Sequence, residues 1–250
     1  MNNSLWIYIL VGFFAQMIDG SLGMAYGVSA TSFLVGFGVP QAVASASVHT
    51  AEIFTTAVSG FSHWRLGNID KELVKKLILP GVLGGILGAY VLTNISGDAL
   101  KPFVAIYLIF MGIRIILKAF NILAIKQKPN AIFIRALGLA GGLFDAIGGG
   151  GWGPIVTSTL ISQGNKPRYT IGSVNFTEFF VTFAEVATFI FTLTIGKDQL
   201  WVIAGLAIGG VIAAPLAAFA ANRLPTKTIM ILVGILIIFL NLRTLYQVFF

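Results

Sequence analysis

Cysteine is absent from all 250 residues, which removes disulfides, thiol redox chemistry and cysteine-ligated metals from consideration. Histidine is almost absent: only His49 and His63 occur, too few to suggest a metal site, and neither a metal nor a cofactor is expected. Charge is scarce as well. Asp, Glu, Lys and Arg make up 10% of the chain, against about a quarter in a soluble domain. Apolar residues fill the gap, at 57% of the total with a mean hydropathy of +0.92. Long apolar runs recur from end to end, most of them close to the ~20 residues a helix needs to cross a bilayer. The runs are continuous rather than alternating, which excludes a membrane β-barrel. The N-terminal MNNSLWIYIL lacks the basic region of a cleaved signal peptide, so its run is expected to belong to the mature protein. The net charge of +7 lies at the ends of apolar runs, which reads as membrane topology and not as a nucleic-acid surface.

The expected fold is therefore all-α and integral to a membrane. Eight apolar segments are predicted, at 5–37, 41–62, 73–95, 100–120, 131–162, 169–196, 199–221 and 225–249. The first and fifth are broken. Phe13 to Leu34 reads FFAQMIDGSLGMAYGVSATSFL and Gly141 to Ile161 reads GGLFDAIGGGGWGPIVTSTLI, each interrupting a hydrophobic helix with an aspartate and glycines. The breaks are related by an offset of 126, which takes Asp19 to Asp145, Tyr26-Gly27 to Trp152-Gly153, and Thr31-Ser32 to Thr157-Ser158. The same offset carries Ser47-Val48-His49 to Ser173-Val174-Asn175, Glu52 to Glu178 and Lys101 to Lys227. The chain thus reads as two homologous halves of four segments, 1–125 and 126–250, within one membrane domain. Interrupted helices at matching places in two halves point to a transporter's binding site.

Orientation follows from the basic residues. If all eight segments cross, they divide eleven against five and the halves are parallel. If each broken segment is re-entrant, they divide thirteen against three and the halves are inverted repeats. The positive-inside rule favours the steeper split, with both termini outside a cell (inner) membrane.

Five of the nine acidic residues fall inside apolar segments: Asp19, Glu52, Asp145, Glu178 and Glu185. A charge at the bilayer centre costs about 2.5–3.5 kcal/mol on insertion scales, so such residues are functional candidates by default. Capping a half-helix is the plain alternative. Gly20, Gly23 and Gly27 in the first break, and Gly148 to Gly151 with Gly153 in the second, permit an unwound backbone. Pro154 favours a helix restarting there. Unwound N–H groups and a half-helix N-terminus bind an oxyanion without arginine. The predicted substrate site is accordingly Asp19, Gly20, Gly23, Tyr26, Gly27, Thr31, Asp145, Gly149, Gly150, Gly151, Trp152, Gly153 and Asn175. His49 and Glu52, three apart on one helical face, join Glu178 as the predicted proton-coupling groups. GxxxG spacings at Gly81–Gly85, Gly84–Gly88 and Gly205–Gly209 point to tight packing within the chain, with a homodimer as the second reading.

The GGLFDAIGGGGWGP stretch, its earlier copy IDGSLGMAYG and the later TIGSVNFTE region resemble the TauE/SafE family of sulfite exporters, across essentially the whole chain. The first copy departs from the pattern at Ser21, Met24 and Ala25. The resemblance implies a carrier of small sulfur-containing anions such as sulfite, sulfonates, thiosulfate or related organic anions, working by alternating access. Fixed negative charge beside an anion is repulsive, and protonation of Glu52, Glu178 or an aspartate would relieve it. A passive anion channel and a cation carrier remain as rivals, the latter kept open by the lack of buried lysine or arginine. Enzymatic readings fare worse. Neither aspartate lies in Gly-x-Gly-Asp, there is no Gly-x-Ser-Gly, and His49–Glu52 does not make HExxH.

Overall fold

The computed structural model describes residues 2–22, 24–95, 97–120, 129–193, 197–220 and 226–249. All regular structure among them is helical: α1 Asn2–Leu22, α2 Tyr26–Gly36, α3 Gln41–Arg65, α4 Lys71–Asn94, α5 Gly97–Ala119, α6 Ala131–Gly148, a π-helical turn Gly153–Thr157 running into α7 Ser158–Ser162, α8 Pro167–Thr192, α9 Lys197–Ala220 and α10 Thr226–Phe249. The predicted segments reappear, with the first divided into α1 and α2 and the fifth into α6 and the π turn with α7. Among the described residues, five helices are long and apolar enough to cross a membrane, within α4, α5, α6, α8 and α10. Local chemistry sets several starts. Asp70 accepts from the N–H groups of Glu72 (2.9 Å) and Leu73 (3.2 Å), and Asn130 accepts from that of Phe133 (2.8 Å). These bonds occupy donors that the first helical turn leaves free.

Packing runs between the halves. Helix α1 lies along α9, α4 along α6, α3 against α8 and α5 against α10. Glycine makes the closest of these contacts. A Cβ on Gly84 or Gly88 would meet the carbonyls of Leu139 or Leu143 on α6, and one on Gly209 would meet the carbonyl of Ile9 on α1. The GxxxG spacings thus serve packing inside the chain. Helix surfaces facing outward carry large apolar side chains such as Trp6, Phe61, Phe103 and Phe191. Their polar residues turn inward: Ser45, Ser47, His49, Glu52, Thr55 and Thr56 of α3 are buried, as are Ser173, Asn175, Thr177, Glu178, Thr182 and Glu185 of α8. A polar interior within an apolar exterior is the arrangement a bilayer requires of charged groups.

Candidate functional site: two helix breaks and a buried histidine

Both breaks are closed by their own aspartates. Asp145 Oδ1 accepts the N–H of Trp152 at 2.8 Å, and its backbone carbonyl accepts the N–H of Gly149 and that of Gly150 (2.9 Å). Asp19 likewise accepts the N–H of Tyr26. The carboxylate of Glu52 takes the N–H of Gly27. Five of the N–H groups predicted to be open to an oxyanion, those of Tyr26, Gly27, Gly149, Gly150 and Trp152, are therefore engaged by the protein's own carboxylates and by a carbonyl.

The exposed carbonyls of the second break are satisfied with similar completeness. Ser45 Oγ donates to Ala146 O at 2.6 Å, Gln41 Nε2 to Ile147 O at 3.0 Å, Thr31 Oγ1 to Gly149 O, and the Tyr107 hydroxyl to Gly150 O at 3.3 Å. Those donors come from α2, α3 and α5, so the end of α6 is held by the first half of the chain. Gly149 and Gly150 have φ of 69° and 138°, a region that side-chain-bearing residues resist. Gly150 is also pressed against Gly27, whose added Cβ would come 2.7 Å from the Gly150 Cα. The two breaks meet backbone to backbone. The first turns differently, with Ala25 in the left-handed region at φ 90°.

His49 lies beneath this seam, fully buried. Its Nδ1 is 2.7 Å from Ser45 O. A carbonyl cannot donate, so Nδ1 carries hydrogen. Nε2 then faces carboxylates only: Glu185 Oε2 at 3.0 Å, Asp145 Oδ2 at 3.6 Å and Glu52 Oε2 at 3.8 Å. His49, Asp145 and Glu185 offer ligand atoms within 4.8 Å of one another, a spacing at which one cation could touch all three. Asn175, at the position of His49 plus 126, instead donates to Ser59 Oγ at 3.0 Å. Trp152 is fully buried, its Nε1 on Val174 O (3.2 Å), and its ring lies against Gly81 and Gly141. It walls the second break, as does Gly151, whose added Cβ would meet the Tyr107 hydroxyl. Gly153 opens the π turn, and the helix restarts around Pro154. Glu178 is buried in α8 and Gly20 lies in the last turn of α1. Gly23 falls outside the described residues.

Sequence reasoning missed the supporting groups Gln41, Ser45 and Tyr107. It also treated Arg114 and Lys118 as topology markers only. Both are partly buried: Arg114 Nη2 donates to Thr159 Oγ1 at 3.1 Å, and Lys118 Nζ lies 3.6 Å from Met24 Sδ. Among the described residues no lysine or arginine is fully buried, so the cation-carrier rival keeps its premise, and these two are half-buried. Their four-residue spacing on an apolar helix was the available signal.

A helical membrane protein with two opposed helix breaks and a polar core belongs to the class of membrane transporters. The family model for sulfite exporter TauE/SafE matches residues 8–244. A probable membrane transporter protein, YtnM of Bacillus subtilis (strain 168), is 43% identical over 248 residues, covering 96% of this chain and 82% of that protein. No solved structure gave a significant match. The chain is a member of the TauE/SafE family, a multi-pass membrane transporter.

Proposed function

We propose that the chain is a proton-coupled secondary transporter of small sulfur-containing anions, sulfite, sulfonate, thiosulfate or a related organic anion. The observation that carries this reading is the occupation of both breaks by carboxylates. Asp19 on Tyr26 N–H, Glu52 on Gly27 N–H and Asp145 on Trp152 N–H place an oxyanion where a substrate oxyanion would bind. Half-helix N-termini favour negative charge whatever its source.

In this mechanism Glu52 holds the place of the substrate at the first break. Protonation weakens its acceptance of the Gly27 N–H and frees that donor for an incoming anion. His49, 3.8 Å from Glu52, is the adjacent group for passing the proton, and Glu178 is the corresponding acid of the second half. Anion and proton then bind together, which removes the repulsion between substrate and fixed charge. Alternating access follows if the seam between Gly27 and Gly150 opens toward one side of the membrane at a time. The inverted arrangement, with termini outside the inner membrane and 1–125 and 126–250 as its two repeats, is part of the same proposal and rests on the basic-residue count.

The test is uptake driven by an imposed pH gradient in proteoliposomes. Glu52→Gln is expected to abolish stimulation by the gradient, and Glu178→Gln to reduce it. Stimulation retained in both variants refutes the proton assignment.

A further inference from the structure

We propose that Arg114 and Lys118 of α5, with the hydroxyl of Thr159, form a second anion-binding station on the approach to the breaks. This inference rests on the anion-carrier reading and adds a place where the substrate is held before it reaches the glycines.

Tyr107, Arg114 and Lys118 are spaced seven and four residues apart, so they fall on one side of α5. At a rise of 1.5 Å per residue the row extends roughly 16 Å. Its inner end is Tyr107, whose hydroxyl donates to Gly150 O and packs beside Gly151. Its outer end is Lys118, in the last turn of α5 and followed in sequence by Lys126 and Lys128. The row therefore runs from the last turn of α5 to the second break.

The two half-buried cations lack what cations drawn out of water normally have. Neither forms an ion pair with a carboxylate among the described residues, where the Lys–Glu pair Lys75–Glu72 lies on the exposed start of α4. Arg114 Nε is buried without a hydrogen-bond partner. The Nη2 of Arg114 meets a neutral hydroxyl, and Lys118 Nζ meets the sulfur of Met24, a weak acceptor. Ser158 Oγ reaches the same sulfur at 3.6 Å, so a hydroxyl donor and the Lys118 ammonium converge there, with Thr159, the next residue, on Arg114. A planar guanidinium with a free donor, an ammonium and adjacent hydroxyls match an anion carrying two or three oxygens.

At an offset of 126 the two cations are not repeated. Leu240 of α10 occupies the place of Arg114 and Thr244 that of Lys118. Beside them the cleft between α1, α2 and α10 is walled by Phe14, Ile18, Phe33, Leu236, Ile237 and Leu240. The neighbouring Asn241 makes a neutral bond to Ser32 Oγ at 3.0 Å. One side of the molecule presents cations toward its break and the other an apolar cleft.

The test uses the absence of cysteine. Lys118→Cys gives the purified chain a single thiol, which 2-bromoethylamine converts to a thioether-linked ammonium close in shape to lysine. Concentration-dependent sulfite and methanesulfonate counterflow is measured in proteoliposomes before and after that treatment, with iodoacetamide as the neutral control. The substitution is expected to raise KM about tenfold with kcat changed less than about twofold. Bromoethylamine is expected to restore KM and iodoacetamide to leave it raised. Arg114→Gln, the second variant, is expected to raise KM likewise. If wild type exchanges the anions but KM is unchanged in both variants, or is restored equally by the neutral reagent, the station is refuted and the carrier reading survives. If wild-type protein exchanges neither anion, both fall together.

Discussion

The same pair of positions meets twice across α3 and α8, with opposite chemistry. His49 lies 3.0 Å from Glu185, and Asn175 lies 3.0 Å from Ser59. An offset of 126 takes His49 to Asn175 and Ser59 to Glu185, so the two contacts exchange the roles of the helices. The Asn–Ser pair satisfies itself with one neutral hydrogen bond. In the His–Glu pair, His49 Nε2, both Glu185 oxygens and Asp145 Oδ2 lack an aligned partner although they lie close together. Packing two helices needs only the neutral version. The charged version is costly in a membrane interior, and in the proposed mechanism it is the side on which the proton would be handled. The breaks differ in the same sense: the second is rich in glycine and sutured by side chains of the first half, while the first turns at Ala25.

The largest expected effect comes from Gly150→Ala. The new Cβ would sit at φ 138° and press on the backbone of Gly27 and Val28. Backbone strain and overpacking together cost about 2–6 kcal/mol. Thermal unfolding in detergent should show a large drop in Tm or a loss of monodisperse protein. A wild-type Tm would mean that the two breaks do not touch as described.

Next comes conversion of the charged pair into its neutral counterpart. The double substitution His49→Asn with Glu185→Ser reproduces the pairing already present at Asn175 and Ser59. It is expected to keep the fold, with a Tm within a few degrees of wild type, and to lose pH-driven transport. Ser59→Ala, on the other side, removes one neutral hydrogen bond worth about 1 kcal/mol and should leave the pH response intact. Equal loss of that response in the two variants would erase the distinction between the pairs.

The smallest effect belongs to Ala25→Gly. A non-glycine residue in the left-handed region costs about 1–2 kcal/mol, partly offset by the greater chain entropy that glycine loses on folding. A gain of up to about 1 kcal/mol in unfolding free energy is expected from chemical denaturation. A destabilised protein would show that Ala25 packing outweighs its backbone strain.

Much of this was legible before any coordinates. Apolar runs gave the helices, and aspartates beside glycines located both breaks, because a charge and a flexible backbone inside a hydrophobic segment have few other uses. The pairing of Asp19 with Tyr26 and Asp145 with Trp152 was not legible, since a capping bond depends on where the chain resumes its helix. Asn175 was placed in the site as an amide that follows the second break, and its side chain bonds to Ser59. Its partner comes from another helix, and spacing along one helix does not reveal that. Tyr107, Arg114 and Lys118 were obscured for the same reason: their significance comes from the break that α5 packs against.

The most direct test of the central claim is sulfite and organosulfonate counterflow in proteoliposomes, comparing wild type, Asp145→Asn and empty vesicles. Saturable exchange by wild type, weakened by the substitution, is the predicted result and places the anion at the second break. Folded wild-type protein that exchanges no sulfur anion would contradict it.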